Sequence, residues 1–415
     1  MIRQRETELS TDPMAEERAP LAFILKLGRA LHTYGYPAHN LESILEVVTR
    51  RLGLEGQFFS TPTSIFVAFG PQHDQRTHLL RVEPGETDLG KLADLDETTS
   101  RVLSGEMHPR EGLSRIDEIL AAPPLYGRAL TVFAFGLASA SASRFLGGGT
   151  REIAVSAAIG LMIGMLSIIA RKFSSLARIF EPLAAFMASA LAVLIATKVG
   201  AHSISNDVLA GLIVLVPGLT LTVALTDLSS QHLVAGTSSL TGAFVVFLKL
   251  GFGVALGGKV MASIVGAPRV ASPVSLPDWT EYIALIAAPI GFSILLRAHR
   301  RDIVWIIIAG ALAVAGSRAG GRALGPELGV FVGSLTVGIA SNLYARFLNR
   351  PSTVTLVPGI LLLVPGSVGF RSIAAMLDQH VVPGVETAFK MILIAVALVA
   401  GILMSKVIVP SRRVV

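Results

Sequence analysis

The sequence predicts a mainly α fold: a polytopic membrane protein of two five-helix inverted repeats, preceded by an N-terminal soluble α+β domain. Three observations predict it. The first is composition. The 415 residues are 52% hydrophobic and 15% charged, with mean hydropathy +0.64, where soluble domains carry about 25% charged residues. The second is charge placement. Residues 1–125 hold 13 Lys+Arg against 19 Asp+Glu, and residues 126–415 hold 22 against 10. The apolar part is therefore the basic part, which suits membrane-facing anchors better than nucleic acid. The third is a duplication. Leu215-Val216-Pro217-Gly218 returns as Leu363-Val364-Pro365-Gly366, Gln231-His232 as Gln379-His380, Val234 as Val382 and Gly236 as Gly384, each 148 residues on. Gly211 and Gly359 keep the same offset. The period is far longer than the ~20–50 residues of a solenoid unit. It reads as a duplicated half-domain, and apolar halves with matched Pro-Gly interruptions are the plan of many secondary transporters.

Residues 1–20 read as a disordered tail: they are polar and charged and lack the apolar core of a signal peptide. The soluble domain spans 21–122. Leu21, Ile24, Leu25, Leu27, Gly28 and Leu31 share a helical face that Gly35 and Pro37 end, and Leu41, Ile44, Leu45, Val48 and Leu52 form a second. Phe58–Phe69 reads as one strand, 71–74 as a turn, Thr77–Val82 as a second strand, and 87–105 and 110–121 as helices. Pro123-Pro124 closes the domain. A bilayer-crossing helix needs ~20 mostly apolar residues. Ten segments qualify: 126–146, 152–170, 181–199, 207–227 and 236–260, then 280–297, 302–321, 327–347, 353–376 and 383–408. The first membrane repeat is thus 126–264 and the second 280–409. Small residues at Gly160/Gly164, Gly253/Gly257, Gly316/Gly320 and Gly329/Gly333 favour close helix contact.

Five crossings per repeat place the second half on the opposite side from the first, so the halves are inverted. Both termini then share the cytoplasmic side of a plasma membrane. Arg171, Lys172, Arg178, Arg297, Arg300, Arg301, Arg346, Arg350, Lys406, Arg412 and Arg413 fall on that side. Arg151, Lys198, Arg269, Arg318, Arg322 and Arg371 fall on the other. This is a modest positive-inside bias.

The paired breaks are the expected substrate site. Proline removes a donor and freed carbonyls need partners, which a binding cavity supplies. Pro217, Gly218, Pro365 and Gly366 form the breaks, and the hydroxyls of Thr220, Thr222 and Ser367 follow them. Gln231, His232, Gln379 and His380 end the broken helices and are candidates for gating or proton coupling, with helix termination the favoured explanation. Asp227, Lys249, Asp378, Glu386 and Lys390 are charges within or beside apolar spans, which usually mark a pathway. Asp227 and Glu386 are the carboxylates expected to carry a proton, and Lys390 stands four residues from Glu386. In the soluble domain, His39, Glu42 and Glu46 read as a solvated helix face. Ser64 lacks a hydrolase elbow, and no nucleotide-binding or metal-ligand spacing is present. With no cysteine, disulfides and thiolate metal sites are excluded. The reading is a secondary transporter rather than an enzyme, with a membrane-anchored hydrolase or a channel as alternatives. Expected partners are a small-molecule substrate, protons and lipid. A homo-oligomer is compatible with the sequence, and no cofactor, metal or nucleic acid is expected.

Residues Leu31–Leu54 (LHTYGYPAHNLESILEVVTRRLGL), followed by Phe59-Ser60-Thr61-Pro62-Thr63-Ser64-Ile65-Phe66-Val67, resemble the threonine/serine exporter family. That pattern is a Gly turn (Gly35), a Glu-bearing helix (Glu42) ending in Leu-Gly-Leu, and a Thr-Pro-Thr strand. The chain departs from it at Asn40-Leu41-Glu42, where many members carry an arginine. The resemblance implies a cytoplasmic N-terminal domain and about ten transmembrane helices, divided between two chains in some members. It also implies export of threonine, serine and small peptides driven by the proton gradient, and a soluble domain likened to hydrolases.

Overall fold

A computed structural model describes residues 13–410 apart from 72, 84 and 378. Asp378, Arg412, Arg413 and residues 1–12 of the expected tail lie outside the described residues.

In the soluble domain α1 (Pro13–Thr33) turns back into α2 (Ala38–Arg51). Gly35 makes the turn at φ +83°, a region costly for any residue with a Cβ. Phe58–Phe69 is not one strand. It is a hairpin of β1 (Gly56–Thr61) and β2 (Ser64–Phe69), with Thr61 opposite Ser64. Pro62 has no N–H to give a ladder, so it ends a strand. The hydroxyl of Thr61 instead accepts the Ser64 N–H at 3.1 Å. β3 (Arg76–Arg81) completes an antiparallel sheet in the order β1-β2-β3. The two expected helices follow as α3 (Leu89–Leu103), capped by Asp88, and α4 (Pro109–Ala121), with Pro109 at its first position. Phe23, Ile24, Leu27, Leu41, Leu45 and Ile65 are buried in the domain core, and Ala298 and Ile306 of the membrane part join the same cluster. The domain is thus seated on the membrane helices by a shared apolar core, not only by surface charges.

The membrane part begins with α5 (Arg128–Phe145), α6 (Thr150–Ala170), the short α7 (Ser174–Arg178) and α8 (Phe180–Lys198). Then come α9 (Ile204–Gly211), α10 (Gly218–Ser229) and α11 (Leu233–Val265). The second half has α12 (Trp279–Leu295), α13 (Ile303–Leu324), α14 (Pro326–Leu348), α15 (Thr353–Leu361), α16 (Gly366–Leu377) and α17 (Val381–Ile408). Every segment read as a span is a helix or an interrupted pair of helices. Among the described residues seven helical spans are long and apolar enough to cross a membrane, α15 and α16 counted as one, fewer than ten for identifiable reasons. α12 has 17 residues, α5 carries several serines and Arg144, and the fourth segment of the first half is split into α9 and α10.

Packing repeats between the halves. α8 packs on α11 as α14 does on α17, α5 on α6 as α12 on α13, and α10 on α11 as α16 on α17. The small residues noted in the sequence sit where backbones meet. A methyl on Gly253 or Gly257 would run into carbonyls of α8, and one on Gly329 into Gly321 of α13. Large apolar side chains such as Leu161, Met165, Phe244, Phe252, Phe389 and Ile392 face outward, a surface that suits lipid.

Candidate functional site

The two Pro-Gly sequences do more than kink a helix. In each, a short helix stops, a few residues run as turns, and a new helix starts at the glycine. α9 ends at Gly211 and α10 begins at Gly218; α15 ends at Leu361 and α16 begins at Gly366. Proline is tolerated there because the first positions of a helix need no N–H donor. The breaks meet. A methyl on Gly366 would lie 2.7 Å from Val216 Cγ1 and 3.2 Å from Gly218 Cα, and one on Gly218 would overlap Val364 Cγ1. Two helix N-termini thus converge at the centre of the membrane part, each the positive end of its dipole.

A cavity lies on either side of this contact. One, of about 280 Å³, runs from Leu219, Thr222 and Thr226 of α10 to Tyr36, Pro37 and His39 of the soluble domain. It is near the small end of ligand pockets, roughly 300–1,000 Å³. The other, of about 250 Å³, lies among α5, α12 and α13 and reaches Leu363, Val364 and Ser367 beside the second break. It extends toward Arg318, which pairs with Glu281.

The domain side is held by a network that the sequence did not disclose. Asp227, near the end of α10, is buried, and its Oδ1 accepts from His39 Nδ1 at 2.8 Å and from the His39 backbone N–H at 3.3 Å. Lys406, near the end of α17, donates to Asn40 Oδ1 at 3.3 Å and lies 3.5 Å from His39 Nε2. With hydrogen on Nδ1 and an ammonium facing Nε2, His39 is the neutral tautomer. Burial pushes its titration below the ordinary histidine value; the Asp227 bond opposes this and Lys406 adds to it. Beside it, Glu42 Oε1 accepts the Ser60 N–H at 2.6 Å, and Glu42 Oε2 lies 3.1 Å from His232 Nε2. Burial raises the Glu42 carboxyl above its usual range, against the pull of Ser60 and His232. His39 and Glu42 are therefore not a solvated face. Helical spacing puts them on one side of α2, but only the fold could put that side against α10 and α11.

The other expected residues divide. Thr222 is buried at the first cavity, its hydroxyl donating back to Gly218 O at 3.1 Å, and Ser367 lines the second. Thr220 is exposed and turned away from both cavities. Gln231 and Gln379 each hold a left-handed backbone at φ 65°, which ends the helix before them. Their structural role is thus equivalent, but only His232 meets the domain. Gln379, His380, Glu386 and Lys390 are exposed at the start of α17, and Glu386 pairs with Lys390 at 2.8 Å. α17 has 28 residues, so at the helical rise they stand roughly 24 Å (Lys390) to 40 Å (Gln379) from Lys406. The structure does not bring them to the cavities. Lys249 lies 3.8 Å from Glu181 on α8. Ser64 Oγ is tied to Thr61 Oγ1 at 2.8 Å within the hairpin turn.

Opposed titrations follow for docking. A histidine lowered in the docked state favours contact when neutral, so contact loosens as pH falls below about 6.5, the ordinary value. A raised carboxyl works the other way, and Glu42 loosens contact as pH rises above its ordinary value near 4.3. In His39→Gln the acid-side loosening is expected to vanish, and in Glu42→Gln the opposite trend, read as amide exchange of α2 across pH.

Comparison with known proteins follows the same outline. A ThrE threonine/serine exporter model matches residues 22–261, and a second, described as Threonine/Serine exporter, ThrE, matches residues 281–408. Among curated relatives, Pheromone-regulated membrane protein 10 of Candida albicans (strain WO-1) is 26% identical over 84% of this chain and 33% of its own length. Its namesake in Saccharomyces cerevisiae (strain YJM789) is 26% identical over 84% of this chain and 46% of its own. That of Yarrowia lipolytica is 28% identical over 91% and 32%. The chain thus spans less than half the length of these relatives. No solved structure matches it. With models of one family covering the soluble domain and both membrane halves, the chain belongs to the threonine/serine exporter family.

Proposed function

We propose that the chain exports small hydroxy amino acids, threonine and serine, across the plasma membrane by proton antiport with alternating access. The observation that carries this reading is the contact between the two matched breaks, with a cavity on either side. Substrate binds where α10 and α16 begin. Helix N-termini favour a carboxylate, the carbonyls at 213–215 and 362–364 suit an ammonium, and Thr222 and Ser367 offer hydroxyls. The halves rock about the Gly218–Gly366 contact, so that one cavity opens as the other closes.

Inversion of the repeats is supported by chain direction. α11 starts at the domain, through His232, whereas its counterpart α17 ends there, through Lys406. All ten segments then cross, and both termini lie on the domain side. Arg171 and Arg297, which pair with Glu86, lie on that side together with Arg350 and Lys406, which supports a cytoplasmic domain. Asp227, His39, Glu42 and His232 couple the domain to α10 and gate the first cavity.

The test is efflux of labelled threonine and serine from reconstituted vesicles. An imposed proton gradient is expected to drive both against their own gradients, with leucine and lysine excluded. Efflux that only follows the amino-acid gradient would make the protein a channel and end the antiport reading.

A further inference from the structure

A second group of buried titratable residues lies at the end of the membrane part away from the domain. Glu152 stands in the first turn of α6, His202 just before α9, and Asp207 in its first turn. All three are buried, Asp207 completely. Both Glu152 oxygens are filled, by the Gly149 N–H at 2.9 Å and the Ser203 N–H at 3.2 Å. His202 Nδ1 lies 2.9 Å from the Gly200 carbonyl. A carbonyl only accepts, so Nδ1 carries the hydrogen. Nε2 then faces Asp207 Oδ2 at 3.0 Å. Without a proton between them two lone pairs oppose each other, so the pair is placed to take one. The two atoms are close but not aligned as a hydrogen bond, and neither Asp207 oxygen has a donor. A buried carboxyl left this way is costly.

The duplication sharpens the point. At the 148-residue offset His202 corresponds to Arg350 and Asp207 to Thr355, while Asp302 stands at the start of α13 as Glu152 does in α6. In the second half Arg350 pairs with Asp302, which also accepts from the Tyr344 hydroxyl at 2.9 Å. A guanidinium keeps its charge at every physiological pH, so that pair is a fixed lock. The first half has an imidazole in place of the guanidinium and a carboxyl in place of the threonine hydroxyl. One frame has been built twice, once permanent and once titratable.

We propose that Glu152, His202 and Asp207 form a proton-binding site on the far side of the membrane part, a proposal that rests on the exporter reading above. One proton passes from water to the His202–Asp207 pair in one state and from the pair to water in the other; no other bond changes. Few other charges compete. Arg151 is turned to the Ala201 carbonyl at 3.3 Å and Arg144 to Thr280 at 2.7 Å. Lys198, Arg269, Asp278 and Arg371 are exposed. The connection between α11 and α12 covers the site, Val270 bridging to His202 and the Val274 carbonyl closing on Gly149. Proton entry runs past that segment. Asp207 and the substrate cavity share one interrupted helix, α9–α10, so loading one bears on the other.

The test uses the full chain in vesicles and two assays: threonine accumulation driven by a pH gradient, and threonine–threonine exchange at equal pH. In Asp207→Asn, gradient-driven accumulation is expected to fall at least about tenfold, a typical coupling magnitude, while exchange persists. His202→Arg, which copies the second half, is expected to do the same, and it carries the test if Asp207→Asn inserts poorly. Wild-type accumulation in either inserted variant overturns the site. Should the wild type exchange no threonine, the exporter reading fails instead. The site is then read by infrared absorption of a protonated carboxyl that Asp207→Asn removes; an unchanged band overturns it.

Discussion

Gly218→Val is expected to lower threonine efflux at least about tenfold while the protein still inserts. The two breaks touch through Gly218 and Gly366, with Val216 and Val364 beside them. A side chain on Gly218 would overlap Val364 Cγ1, and valine is branched and stiff, so it has little room to yield. Overpacking a close contact costs about 1–3 kcal/mol, and each 1.4 kcal/mol is about a factor of ten in an equilibrium. That cost falls on whichever state brings the breaks together, so it shifts the balance of states rather than the fold. Gly366→Ala is expected to be milder, since its methyl meets Val216 at 2.7 Å. Gly242 of α11 has nothing within 4 Å, so Gly242→Ala should leave efflux unchanged. Wild-type efflux in Gly218→Val would remove the contact from the transport cycle.

The paired breaks were legible in the sequence because they are encoded locally. Proline and glycine state their backbone requirements alone, and duplication states them twice. The helical segments were legible for the same reason, since twenty apolar residues suffice to mark a span. The hairpin was missed because 58–69 is one run of strand-favouring residues; the signal was a phase shift, the buried positions moving from Phe58 and Ser60 to Ile65 and Val67 across Pro62. The buried polar clusters were less legible. His39 and Glu42 look like any polar helix face until α10 is placed beside them. Asp207 lies at the edge of an apolar run, where a carboxylate at a helix start has an ordinary explanation. One signal was available and unused: at the offset that aligns the Pro-Gly breaks, His202 falls on Arg350. Conversely, Glu386 and Lys390 looked like a buried relay because they stand in an apolar span, but the helix turns them outward, where they satisfy each other.

Asp227 ties the domain to the membrane part, and Asp227→Asn is expected to release it. The carboxylate takes two donors from His39 and is the nearby anion for Lys406, whose other contacts are a neutral imidazole and the Asn40 amide oxygen. An asparagine keeps one acceptor, turns its amide hydrogens toward existing donors, and leaves the lysine unbalanced. Unmade bonds of this kind cost about 1–3 kcal/mol. Amide exchange in α2 should therefore rise about tenfold or more, by the same conversion, and efflux should lose its dependence on the domain contact. The shared apolar core around Ala298 and Ile306 keeps the domain folded, so protection in α1 and β2 should persist. Charge balance, not shape, is the cause, and a double variant separates the two. Lys406→Met removes the stranded cation, so Asp227→Asn with Lys406→Met should protect α2 better than Asp227→Asn alone. Neighbouring charges of this kind couple by about 0.5–3 kcal/mol. Equal exchange in the single and double variants would mean that Asp227 acts through His39 alone; unchanged exchange in Asp227→Asn would detach the network from docking altogether.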